Sequence, residues 1–269
     1  MKKIVSLLLS AAVAFAAFAA CSDDEEKPTV TNTYVLVHGA WQAPYVWDAV
    51  ASNLKAKGNK VIVVELPGHG SDTTAPYLLS LDVYRDKVAD PISKVDGKVI
   101  LVGHSMGGMV VTSVAEKIPS KISKLVYIGA FLPASGQAIA DLAIQDAASQ
   151  LGPSLIESAD HLTLDVKHEN LTHLFINDGS DAVKQSVLNN YRAEPAIPFG
   201  NKVTLTNKNF GTVDKVYIKT LQDIVISPAL QDRMIAAAGI KKVYELNTSH
   251  SPFLSQPQAV SDLLLKIAE

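Results

Sequence analysis

Val99-Ile100-Leu101-Val102-Gly103-His104-Ser105-Met106-Gly107-Gly108 is the stretch on which the reading of this chain turns. Four consecutive apolar residues of strand type run into Gly-x-Ser-x-Gly, and a helix is expected at once over 107–118. A strand, a sharp turn and a helix are the setting in which that pattern carries chemistry. Ser105 must stand at the apex of a strained turn for its hydroxyl to clear the backbone. Glycines two residues to either side let strand and helix approach without a Cβ clash. The helix N-terminus behind Ser105 favours negative charge developing in front of it.

Outward from this turn the chain alternates strand and helix. Tyr34-Val35-Leu36-Val37 and Val61-Ile62-Val63-Val64 read as strands upstream, with a helix over 47–57 stopped by Gly58. A helix over 81–94 is interrupted at Pro91. Downstream come strands Leu125-Val126-Tyr127-Ile128, Val216-Tyr217-Ile218-Lys219-Thr220 and Val243-Tyr244-Glu245-Leu246, with helices near 229–238 and over 257–268. Apolar runs without alternation point to strands covered on both faces, hence an α/β fold with a mostly parallel sheet flanked by helices. The rhythm fails over about 134–211, a helix-prone, polar stretch punctuated by Pro153, Pro195 and Pro198. It reads as an inserted helical cap in a single domain spanning 33–269, with no internal repeat.

A serine hydroxyl needs a base, and the base needs an orienting acid. Of the seven histidines, His38, His69 and His104 sit at turns in the first half, and His161, His168 and His173 fall in the insertion. Only His250 lies on a loop after the last strand, where one strand can present a base to a serine topping another. The acid should top a strand between serine and histidine. Strand 216–220 ends in Leu221-Gln222-Asp223, which selects Asp223. Asp214 precedes that strand, Asp232 lies mid-helix, and the strand over 125–128 is followed by Gly129-Ala130-Phe131 with no acid.

The N-terminus is a separate matter. Lys2 and Lys3 precede an apolar run from Ile4 to Phe18, and Phe18-Ala19-Ala20-Cys21 then leads into Ser-Asp-Asp-Glu-Glu-Lys-Pro. Residues 1–20 read as a signal peptide, with 21–32 an acidic, extended tether. The whole chain of 269 residues is 48% hydrophobic and 19% charged, enough apolar content for a sizeable core. A net charge of −3, moving to −5 if Lys2 and Lys3 are removed, leaves no basic field for nucleic acid. A single cysteine excludes an internal disulfide framework and a thiolate zinc cluster.

Two resemblances follow from these residues. Phe18-Ala19-Ala20-Cys21 resembles a bacterial lipoprotein signal, with phenylalanine where leucine is more usual. It implies export to the cell envelope and a lipid on Cys21 that anchors the chain to a membrane. Residues 33–134 and 214–268 resemble the α/β-hydrolase superfamily, in the branch of plant methylesterases and hydroxynitrile lyases. The motifs are Val35-Leu36-Val37-His38-Gly39-Ala40-Trp41, Leu66-Pro67-Gly68-His69-Gly70, Gly103-His104-Ser105-Met106-Gly107-Gly108, Tyr127-Ile128-Gly129-Ala130-Phe131-Leu132-Pro133, and the segments around Asp223 and His250. The resemblance implies Ser105 as nucleophile, His250 as base, Asp223 as orienting acid, and the Ala40 and Met106 amides as oxyanion donors. The lyases of this branch carry threonine and lysine where this chain has Gly39 and Ser251, which argues against cyanohydrin cleavage. The expected reaction is hydrolysis of a small apolar ester through an acyl-enzyme. A thioesterase, lactonase or carbon–carbon hydrolase would use the same three residues, and a binding lipoprotein could keep the fold without the chemistry. Trp41, Phe131, Leu132, Phe199 and Phe253 could line an apolar pocket, but core packing accounts for each of them as well, and Trp41 and Phe131 are the candidate pocket walls kept. His161, Asp165 and His168 could share a helical face as metal ligands, but a solvated cap surface accounts for them equally. No metal or organic cofactor is expected.

Overall fold

In the computed structural model, which describes residues 31–269, the apolar runs form the sheet. The predicted signal peptide, Cys21 and nearly all of the tether lie outside the described residues. In chain order the first half contains β1 (Thr33–Val37), α1 (Asp48–Ala56), β2 (Lys60–Val64), α2 (Leu81–Ser93), β3 (Val99–His104), α3 (Gly107–Lys117) and β4 (Ile122–Ile128). The insertion supplies α4 (Ile139–Ala143), β5 (Leu155–Glu157), β6 (Thr163–Val166), α5 (Leu171–Ile176), α6 (Asp181–Asn190), β7 (Glu194–Pro195) and α7 (Ile197–Gly200). The chain then returns through β8 (Lys215–Thr220), α8 (Pro228–Ala238), β9 (Lys242–Leu246), α9 (Pro252–Ser255) and α10 (Pro257–Ala268).

Six strands pair in parallel in the order β2-β1-β3-β4-β8-β9. Because successive side chains of a strand point to opposite faces, each apolar run divides between two cores. Val35, Val37, Leu101, Leu125, Tyr127 and Tyr217 bury against α2, α3 and α8. Tyr34, Leu36, Ile100, Val102, Val126, Ile128 and Ile218 bury against α1 and α10, with Trp47 and Phe253 between them. This double coverage is why the strands carry no polar alternation.

The register fixes where the site forms. Val37 pairs with Gly103, His104 with Ile128, Ile128 with Ile218, and Thr220 with Leu246. The carboxyl ends of five strands therefore lie along one edge, and the loops that leave them share the crevice there.

Two expectations are corrected. Helix α2 runs unbroken through Pro91 to Ser93. The proline sits in the final turn, so the helix gives up the one bond that its missing N–H would make and need not continue past the distortion. The insertion is also not purely helical, since β5, β6 and β7 form a small antiparallel sheet. Pro195 is accommodated there because β7 is an edge strand.

Candidate active site

Ser105 follows the last residue of β3 with φ 52°, a left-handed conformation that a serine adopts only when its surroundings impose it. The neighbouring glycines allow it. A Cβ on Gly103 would lie 2.7 Å from the Gly107 carbonyl oxygen, and one on Gly107 would lie 2.7 Å from the His38 carbonyl oxygen. The turn is pinned from both sides, with the Gly108 and Phe131 amides donating to the Ser105 carbonyl at 3.0 and 3.1 Å.

Asp223 and His250 meet on the loops after β8 and β9. The His250 Nδ1–H donates to Asp223 Oδ2 at 2.8 Å, with both side chains buried. Asp223 accepts three further bonds, from Thr220 Oγ1 (2.8 Å) and from the Val225 and Ile226 amides (2.8 and 2.9 Å). A carboxylate holding four donors is fixed as an acceptor, so it sets the histidine tautomer and leaves Nε2 with a free lone pair. Gly129 (φ 46°), which follows β4, leaves room for this carboxylate, since a Cβ there would meet Thr220 Oγ1 at 2.7 Å and Asp223 Oδ2 at 3.3 Å.

His104 joins the serine turn to the histidine loop. Its Nε2–H donates to the His250 carbonyl at 2.9 Å, and its ring lies 4.6 Å from those of His250 and Phe253. Burial, reinforced by the nearby His250, holds its pKa well below the ordinary histidine value, so it stays neutral. His38 is also neutral. It donates from Nδ1 to the Gly39 carbonyl (2.9 Å) and accepts the Leu66 amide at Nε2 (3.2 Å). Burial and the charge on His69 press its pKa down to about 3. Both are buried structural histidines.

The Ala40 and Met106 amides have no acceptor among the described residues, whereas the adjacent Trp41 amide donates to Glu194 at 2.8 Å. Trp41 itself has φ 59°. Ala40, Trp41, Ser105, Met106 and Phe131 line one cavity of about 400 Å³, with Phe199, Ile139, Leu151 and Leu155 supplied by the insertion. No lysine or arginine lines it, and its one charged residue, Asp146, bonds Ser227 through both oxygens. Phe253 packs in the core instead. Asp165 lies on a strand and hydrogen-bonds the Tyr191 hydroxyl, while His161 pairs with Glu157 at the surface, so no helical face unites them with His168.

Sequence reasoning missed the polar contacts between the insertion and the site loops. Glu194 is fully buried and bonds His69 Nε2 at 2.8 Å as well as the Trp41 amide. Burial pulls the His69 pKa down, but the charge and hydrogen bond of Glu194 override it, and the net shift is upward. Gln42 reaches Ser251 Oγ at 3.0 Å, beside His250. These pairs are far apart in the chain and follow no motif.

Comparison with known proteins agrees with this architecture. Residues 34–263 match the model of the Alpha/beta hydrolase family. A chloroplastic Arabidopsis thaliana protein designated methylesterase 11 is 34% identical over 88% of this chain, which spans 64% of that protein's length. A pyrethroid hydrolase of Sphingobium wenxiniae is 28% identical, with 90% of this chain and 89% of that protein covered. The crystal structure of polyneuridine aldehyde esterase superposes with a TM-score of 0.80 at 22% identity, covering 89% of this chain and all of the other, a likeness of fold. The match extends over most of the chain and includes every strand of the sheet: this protein belongs to the alpha/beta hydrolase family.

Proposed function

We propose that the chain is a serine esterase for small, neutral, apolar esters, with Ser105 as nucleophile, His250 as base and Asp223 as its orienting acid. The observation that carries this reading is the buried His250–Asp223 bond of 2.8 Å, tied through the His104–His250 bond to the turn that holds Ser105 at φ 52°. The lone pair on Nε2 takes the Ser105 proton as the oxygen attacks the ester carbonyl. Asp223 stabilises the imidazolium that results. The Ala40 and Met106 amides, which have no acceptor among the described residues, would donate to the tetrahedral oxyanion, and each donor of this kind contributes on the order of 3 kcal/mol in comparable hydrolases. The imidazolium returns its proton to the departing alcohol. Water, activated by the same histidine, then releases the acid.

The cavity favours uncharged substrates, because a charged group there would lose its hydration without a counterion. The names of the methylesterase and pyrethroid hydrolase relatives support carboxylic-ester chemistry. A panel of methyl and p-nitrophenyl esters, run with wild type and Ser105→Ala, tests the proposal. We expect turnover on apolar acyl chains and a fall of roughly 10⁴-fold or more in the variant. A folded wild-type protein that cleaves no ester and takes up no fluorophosphonate would overturn it.

We also infer from the sequence that the enzyme is exported and carries a lipid on Cys21. Metabolic labelling with an alkyne fatty acid should mark wild type and not Cys21→Ser, which should leave the membrane fraction. Equal fractionation of the two would refute the anchor.

A further inference from the structure

Three loops present the candidate machinery besides the serine turn, and each is bonded to one carboxylate of the insertion. After β1, the Trp41 amide, next to the oxyanion donor Ala40, gives its hydrogen to Glu194 Oε2 at 2.8 Å. After β8, four residues beyond Asp223, the Ser227 amide and hydroxyl donate to Asp146 at 2.7 and 2.5 Å. After β9, immediately before His250, the Ser249 amide donates to Asp178 Oδ2 at 3.1 Å and its hydroxyl donates to Oδ1. We propose that Glu194, Asp146 and Asp178 are positioning residues, through which the docked insertion holds the oxyanion, acid and base loops in their working arrangement.

The chemistry suits that role. A carboxylate bound to a backbone amide makes a charge-assisted bond, shorter and stronger than a neutral one. Bonds to the backbone fix the loop itself, whatever side chain it carries. Burial grades the three contacts. Glu194 is fully buried, Asp146 nearly so, and Asp178 lies exposed on the link between α5 and α6. Glu194 is further fixed by His69, which belongs to the sheet domain and donates from Nε2 to the same Oε2. Among the described residues the serine turn has no such contact, being set by Gly103, Gly107 and the Phe131 amide of its own domain. An insertion that only covered the cavity would need apolar walls there, not acceptors aimed at three separate backbones.

The rate effects rest on the esterase reading, but the loop effects do not, so two measurements on the full chain separate them. The first is amide exchange of Trp41, Ser227 and Ser249 in Glu194→Ala, Asp146→Ala and Asp178→Ala. Each variant should speed exchange at least about tenfold in the loop facing the lost carboxylate and leave the other two near wild type. The second is ester kinetics with two acyl chain lengths. Glu194→Ala should lower kcat about a hundredfold for both chains with little change in KM, as expected for a misplaced group rather than a lost binding surface, and Asp178→Ala should do so about tenfold. Glu194→Gln, which keeps an acceptor for the Trp41 amide, should recover much of the loss and covers the case in which the alanine variant does not fold. Unchanged exchange in folded variants would overturn the proposal. So would a rise in KM, dependent on chain length, with kcat intact. If the wild type cleaves no ester, the esterase reading falls and exchange alone decides whether the loops are held.

Discussion

Where Gly39 passes Ser105 the backbone is closely packed, although the serine faces the cavity elsewhere. A Cβ on Gly39 would sit 2.8 Å from His104 Nδ1 and 2.8 Å from the Ser105 Cβ, closer than such atoms approach. His104 cannot retreat, because its Nε2–H is bonded to the His250 carbonyl and its ring is wedged against Phe253. Gly39→Ala must therefore push the serine or the histidine loop. On the esterase reading we expect a loss of about a hundredfold in kcat with the fold retained. Kinetics within twofold of wild type in a folded variant would show that the turn has slack. The same crowding gives a physical reason why threonine, found here in the lyases this branch resembles, has no place beside His104 in this chain. His104 and Gly39 stand inside motifs, but their packing roles were not legible in the sequence, since His104 meets the His250 loop only across 146 residues of chain.

The elements differ in how openly the sequence declares them. The four inner strands β1, β3, β4 and β8 were legible because both of their faces are largely buried, so nearly every position is under the same demand for apolar side chains, and the edge strands β2 and β9 kept enough of the same pattern to be found although they are only partly buried. The loops after β8 and β9 were then found by counting from strand ends, which led to Asp223 and His250. The insertion offered no such handle. Its strands have two to four residues and most of its helices four to six, too short for any hydrophobic period to emerge. Its contacts with the site are single polar bonds spanning 153 residues for Glu194 to Trp41, 81 for Asp146 to Ser227 and 71 for Asp178 to Ser249. A carboxylate that will accept a buried amide is indistinguishable in sequence from one that faces water. The aromatic walls were half visible: Trp41 and Phe131 stand within motifs, while Phe199 comes from the unpatterned insertion.

For the molecule as a whole, the buried histidines set how stability depends on pH. His38 and His104 are held neutral by burial, His38 with a pKa near 3 against an ordinary value of 6.5. The unfolded chain therefore binds protons at these sites before the folded one does. Their contribution is complete above pH 6.5 and is lost as pH falls, by up to about 1.4 kcal/mol per pH unit for each histidine. His69 acts in the opposite sense. Its folded pKa is raised, so its pairing with Glu194 is fully stabilising below 6.5 and fades as pH rises through the raised value. We expect urea midpoints to drop between pH 6.5 and 5, above the range in which most carboxylates titrate, and His38→Gln to lessen that slope. A flat profile over this window would contradict the assignment. The cavity has a consequence of its own for the direction of the reaction. With an ester as substrate, what enters is neutral and what leaves is an anion. Among the described residues no lysine or arginine lines the cavity, and the one carboxylate in its lining, Asp146, already has both oxygens occupied. On the esterase reading the product acid, once ionised, meets no basic side chain in that lining, so the chamber is better matched to the ester it takes in than to the anion it forms.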